Sequence, residues 1–241
     1  MGMVSRTHLK RFSFYGLSAF FITVNWLVYI WAVNNDQVVE ASLGYYINPL
    51  VNVFLGALFL KERLRNVQRV SILIALAGVA FLTYKYGKLP WVSFILAVSF
   101  ATYGLLKKKS DLGGIESFSL ETLILSLPAL AYLLMLVQTN QSSWGRLETS
   151  SHWLLLGAGI ATGLPLVLYN LAAEKLTLTT LGMLQYISPT LQLLIGLLVF
   201  KEGFPMDKLL GFVIIWLALI VYTTELIVHN KRDRELKRKS L

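Results

Sequence analysis

Tyr45, Asn48, Asn52 and Gly56 are spaced three, four and four residues apart, so on a helix they share one face. Their surroundings are apolar: residues 43–62 read LGYYINPLVNVFLGALFLKE. A side-chain amide donates and accepts hydrogen bonds without carrying charge, which suits it to hold a polar ligand. Left unpaired in hydrocarbon, it costs on the order of 2–7 kcal/mol. The stripe therefore faces either a neighbouring helix, which it joins by hydrogen bonds, or a wet cavity. The cavity reading is favoured because the segment is written twice.

Residues 183–202, MLQYISPTLQLLIGLLVFKE, overlay the first segment without a gap at an offset of 140. Tyr46, Ile47, Pro49, Gly56, Leu58, Lys61 and Glu62 recur identically, and the polar stripe becomes Gln185, Ser188, Gln192 and Gly196. Pro49 and Pro189 lack an N–H and release the carbonyls of Tyr45 and Gln185, bending each helix. A released carbonyl binds a ligand, a water or a hydroxyl; otherwise the kink serves packing alone.

A second face combines Asn25, Trp26 and Tyr29 with Thr162, Pro165 and Tyr169, and Ser99 and Tyr103 are weaker members of the same class. Aromatic rings with polar edges suit a wall that contacts a flat or amphipathic solute, although core packing explains them as well. Glu121 falls inside an apolar run. It is either a carboxyl that exchanges a proton in a desolvated site or one that sits at a helix N-terminus and reaches water. For Glu40 the helix N-terminus is the preferred reading, and Glu174 and Glu225 read as interfacial.

These residues must be positioned by membrane helices. Of 241 residues, 56% are hydrophobic and 15% charged, and the mean hydropathy is +0.62, which excludes an ordinary water-soluble domain. The apolar runs are long enough to cross about 30 Å of hydrocarbon as helix, and lack the ten-residue alternation of a β-barrel. The sequence predicts an all-α polytopic membrane protein with eight spans: Phe12 to Val33, Val38 to Leu60, Val67 to Tyr84, Leu89 to Leu106, Phe118 to Val137, Trp153 to Ala173, Leu178 to Phe200 and Leu209 to Val228. Seventeen of the 22 Lys and Arg fall on one side of this topology, among them Lys61, Arg63, Arg65, Lys107 and the basic tail, which places both termini in the cytoplasm. The net charge of +9 is thus a topology signal and calls for no nucleic acid. With no cysteine and only His8, His152 and His229, all near span ends, no metal site or catalytic cluster is predicted, and no cofactor. NNDQVVE, at 34–40, faintly matches acidic motifs of membrane prenyltransferases but has the single Asp36 and no second copy.

The offset extends beyond the opening segment: Tyr29 matches Tyr169 and Ala32 matches Ala172, so spans one to three pair with spans six to eight. Five helices separate the members of each pair, an odd number, so the copies have inverted topology, as in secondary transporters with a midplane site. An incomplete first repeat over 1–85, a second over 86–228 and a basic tail over 229–241 follow. Spans four and five lack partners, which would lie about 50 residues before Met1. An internal start, a truncated and non-transporting or partner-dependent copy, and a working eight-span protein are the three readings.

NWLVYIWAVNNDQVVEASLGYYINPLVNVFLGALFLKERL and TLGMLQYISPTLQLLIGLLVFKE resemble the RarD branch of the EamA-type permeases, in the drug/metabolite transporter superfamily. The resemblance implies two inverted five-helix repeats, ten helices in all, and a permease that exports a small organic solute across the bacterial cytoplasmic membrane. It implies no enzyme. The lipid bilayer, the solute and a second copy of the chain are the partners expected. Glu121 resembles a glutamate that follows a short loop in that family. Where its members commonly carry Gly-Glu, this chain has Lys61-Glu62 and Lys201-Glu202.

Overall fold

The computed structural model describes residues 2–35, 37–87, 90–142, 149–191 and 206–239. Among these, the regular structure is helical: α1 (Gly2–Asn34), α2 (Val38–Phe59), α3 (Asn66–Tyr86), α4 (Trp91–Lys108), α5 (Gly114–Gln138), α6 (Thr149–Lys175), α7 (Leu178–Leu184) and, in the numbering used here, α8 (Met206–Lys239). After a turn at Gln185 and Tyr186, helical backbone resumes over 187–191.

Six helices are long and apolar enough to cross a membrane, over Arg11–Asn34, Glu40–Phe59, Asn66–Lys85, Gly114–Gln138, Ser151–Lys175 and Leu209–His229. They carry the first, second, third, fifth, sixth and eighth expected spans. α4, which carries the fourth, is shorter and ends on Lys107 and Lys108. The seventh span is described only to residue 191, and its remainder, with Gln192, Gly196, Lys201 and Glu202, lies outside the described residues, as does Asp36.

The helices end where the chemistry of the chain changes. α3 stops at Gly87, whose φ of 78° favours a residue without Cβ. α2 stops at Leu60, and Lys61 follows with φ 53°, while the Glu62 N–H returns to the Gly56 carbonyl. α7 starts from Thr177, whose hydroxyl accepts the Thr180 N–H.

The chain forms two compact units. One combines Asn25–Ala101 with Thr177–Leu241. In it α2 packs on α3 and α7, and α3 on α8, around a core that includes Tyr46, Val79, Met183, Tyr186, Ile215 and Tyr222. α3 and α8 approach closely at Gly78, where an added Cβ would lie 2.7 Å from Ile215. Small residues at such crossings are the usual means of helix association in lipid. The other unit combines Met1–Val24 with Thr102–Leu176. There α5 packs on α6, and both helices expose a broad array of leucines, including Leu123, Leu127, Leu154 and Leu168. Such surfaces suit hydrocarbon and are unfavourable in water.

Candidate functional site

Gln185 sits directly after α7, and its Oε1 accepts hydrogen bonds from Asn48 Nδ2 at 2.5 Å and Asn52 Nδ2 at 3.0 Å, both on α2. Asn52 is 0% exposed and Asn48 5%. Their Oδ1 atoms have no hydrogen-bond partner among the described residues. Gly182 makes the approach of α7 to α2 feasible, since a Cβ there would lie 2.7 Å from Asn52 Cβ and 3.0 Å from the Pro49 carbonyl. Three amides from one predicted stripe and its copy, two of them buried and Gln185 half-buried, thus meet in an uncharged cluster.

The remaining members of the stripe are less central. Tyr45 is half-buried and Ser188 exposed. α2 runs unbroken through the buried Pro49. On the second copy, the Gln185 carbonyl that Pro189 leaves without its helical partner accepts the Ser188 N–H at 3.2 Å. Thr190 Oγ1 donates to the Tyr186 carbonyl and accepts from Trp216 Nε1, fixing this turn against α8.

The aromatic face on α1 is arranged edge to face. Trp26 and Tyr29 have ring centroids 6.1 Å apart, and Tyr29 and Tyr45 6.2 Å. Asn25 Nδ2 donates to the Leu96 carbonyl at 2.9 Å and to Ser99 Oγ at 3.0 Å. Asn25 and Ser99 therefore join α1 to α4. An apolar hollow of about 550 Å³ is lined by Leu27, Val28, Ile30, Trp31 and Trp91.

In the other unit, Tyr103, Tyr169 and Glu121 come together with three residues that sequence reasoning did not single out for this role. The Tyr103 and Tyr169 rings stack at 6.1 Å. Lys107 Nζ lies 2.6 Å from Glu121 Oε2 and also donates to Ser117 Oγ. Asn170 Nδ2 donates to the Tyr103 oxygen at 3.1 Å, and the Tyr103 hydroxyl faces Glu121 Oε2 at 3.4 Å. The side chains of Lys107 and Glu121 are each 3% exposed. By sequence Lys107 counted only as a cytoplasmic charge. Its signal was its place in the last turn of α4, one residue before the helix ends.

Other carboxylates receive the free N–H groups of helix N-termini, where the macrodipole favours negative charge. Glu40 Oε1 accepts the Val92 N–H of α4 at 2.8 Å. Glu62 accepts the Leu178 and Thr179 N–H groups of α7 at 2.6 and 3.0 Å. Glu174 accepts the Gly114 N–H of α5. Glu225 pairs with Arg65 through both carboxylate oxygens. Among the described residues, no group of three or more His, Cys, Asp or Glu is placed to hold a metal ion.

Comparison with known proteins agrees with this architecture. The chain matches the model of the EamA-like transporter family over residues 2–84 and 89–224. It is 44% identical over 225 residues to the protein RarD of Streptomyces exfoliatus, covering 93% of this chain and 71% of that protein. To the RarD of Escherichia coli K12 it is 41% identical over 216 residues, covering 90% and 73%. An uncharacterized transporter of Bacillus subtilis 168, YojE, is 47% identical over 208 residues, with 86% and 69% covered. A solved crystal structure 20% identical in sequence shares the fold with a TM-score of 0.61, over 87% of this chain and 76% of its own. Apolar spanning helices, buried uncharged amides and this kinship converge: the chain is a multi-pass membrane transporter and belongs to the EamA-like transporter family, among its RarD-like members.

Proposed function

We propose that this transporter is a secondary permease that exports a small organic solute across the bacterial cytoplasmic membrane by alternating access. Asn48, Asn52 and Gln185 hold the solute at the face between α2 and α7, and Tyr29 and Tyr45 flank it. The observation that carries this reading is the amide cluster itself. Its two Asn Oδ1 atoms are buried acceptors with no partner among the described residues, and hydrocarbon makes such acceptors costly unless a ligand or water meets them.

The repeat written in the sequence adds support. Tyr46 and Tyr186 occupy matched positions of the two copies and face one another, as expected if two related units meet at a shared site. Both termini are assigned to the cytoplasm from the Lys and Arg distribution.

The test is flux in proteoliposomes, over a panel of amino acids, amphenicols and nucleobases. Saturable transport is expected for at least one class, reduced roughly tenfold or more by Asn52→Ala and by Gln185→Ala, equivalent to about 1.4 kcal/mol of binding. Absence of saturable flux across the panel sinks the proposal. Flux that both variants leave intact moves the site elsewhere.

A further inference from the structure

The seam between α2 and α7 carries more than the amide cluster. Along α2 the predicted stripe runs Asn48, Asn52, Gly56, and against it, in the opposite chain direction, run Gln185, Gly182 and Thr179. Asn48 bonds to Gln185. A Cβ on Gly182 would lie 2.7 Å from that of Asn52, and a Cβ on Gly56 would lie 3.3 Å from Thr179 Oγ1. The two segments therefore meet at three successive levels, each about one helical turn from the next.

Thr179 differs from other threonines of the chain. The hydroxyls of Thr23, Thr83, Thr122, Thr139, Thr162 and Thr190 each donate to the carbonyl four residues earlier. That of Thr179 is buried with no hydrogen-bond partner among the described residues, as are Asn48 Oδ1 and Asn52 Oδ1 in the same seam. Three such atoms destabilise a dry contact, and water satisfies them once the helices part. Opposing this, Glu62 lies against Gly56 at the end of α2 and accepts the Leu178 and Thr179 N–H groups, which fastens α2 to the start of α7. Glu62 is half-buried, so water competes there for both N–H groups.

We propose that the α2–α7 seam is a polar path held shut, which Thr179 lines beyond the amide cluster and Glu62 latches. The proposal rests on the solute reading for the place of the path, and adds to it one lining residue and the contact that closes it. When Glu62 leaves the Leu178 and Thr179 N–H groups, the seam parts at Gly56 and water reaches the Thr179 hydroxyl and then the two asparagine oxygens.

The chain has no cysteine, so single cysteines report water access without background. In lipid nanodiscs, where both faces meet the reagent, Thr179→Cys is expected to react with a membrane-impermeant methanethiosulfonate, and roughly threefold faster or more when Glu62→Gln is added. Arg63→Cys, in the exposed loop after α2, sets the rate for an open site, and Ala218→Cys, in the core of α8, sets it for a closed one. Asn52→Cys, at the middle level, is a second reporter if Thr179→Cys folds poorly. Labelling absent at the seam while Arg63→Cys reacts, a rate indifferent to Glu62→Gln, or equal labelling of Ala218→Cys overturns the proposal. The assay contains no solute, so its failure is distinct from that of the solute site, which the flux of Asn52→Ala and Gln185→Ala decides.

Discussion

Tyr46 and Tyr186, 140 residues apart and at matched positions of two copies of one segment, face each other with ring centroids 6.4 Å apart and planes at 35°. Both are buried in the core that α2, α3, α7 and α8 share. An internal match written in sequence thus becomes a contact in space.

The contact is one of rings, since the Tyr186 hydroxyl has no hydrogen-bond partner among the described residues. Removing an unsatisfied buried hydroxyl removes its desolvation cost, whereas removing the ring opens a cavity. Tyr186→Phe is therefore expected to leave thermal unfolding in detergent unchanged or raised. Tyr186→Ala is expected to cost about 3–5 kcal/mol, the usual toll of a buried aromatic. A Phe variant as damaged as the Ala variant would show that the hydroxyl is bonded.

Gln185 accepts from both Asn48 and Asn52, so its loss leaves two buried donors. In a dry interface, Gln185→Leu should destabilise by roughly 2–6 kcal/mol, from an orphaning cost of about 1–3 kcal/mol for each of the two groups. In a water-accessible cavity, solvent replaces the lost acceptor, and the cost should fall below about 1 kcal/mol. Denaturant unfolding of this variant separates helix joining from cavity lining, independently of flux.

Much of this fold was legible because hydropathy and length are local. Six long apolar helices stand where six of the eight expected spans were drawn, and the Asn48–Asn52 stripe followed from helical periodicity alone. What pairing each polar group finds was not legible. Glu62 lay in a charged Lys-Glu-Arg run that read as a topology anchor, yet its partners are N–H groups 116 and 117 residues onward. Lys107 looked like one of three consecutive cytoplasmic lysines until α5 placed Glu121 and Ser117 against it. No periodicity marks such partners, because they are set by which helix ends the packing brings together.

Asp111, in the loop between α4 and α5, accepts the Tyr15 hydroxyl at 2.5 Å and pairs with Arg11 at 2.8 Å. The Tyr15 hydrogen bond first, and then the Arg11 charge, hold its carboxyl below the ordinary value of 3.8. A carboxyl depressed in the folded state contributes stability that is fully present above its unfolded value and is lost as pH falls through its folded value. Stability should therefore decline as pH drops below about 4. Asp111→Asn should flatten that part of the acid limb and leave stability near pH 7 only slightly lower. Thermal scans across this pH range check it; an acid limb identical in both proteins would contradict the assignment.

Lys61 adopts φ 53°, a left-handed conformation that costs a residue with Cβ on the order of 1–2 kcal/mol and costs glycine almost nothing. The turn it makes brings Glu62 back over Gly56, where the carboxylate reaches the first N–H groups of α7. The Gly-Glu pattern of similar permeases therefore has a physical reason at the first position, and the lysine here meets the same geometry at a cost. Lys61→Gly should raise stability by about 1 kcal/mol in denaturant unfolding. Glu62→Ala, which removes the cap from α7, should lower it by about 1–2 kcal/mol. Glu62→Gln, which keeps an acceptor but loses the charge, should fall between the native protein and the alanine variant. If Lys61→Gly destabilises instead, the lysine side chain holds this turn by contacts that outweigh its strain.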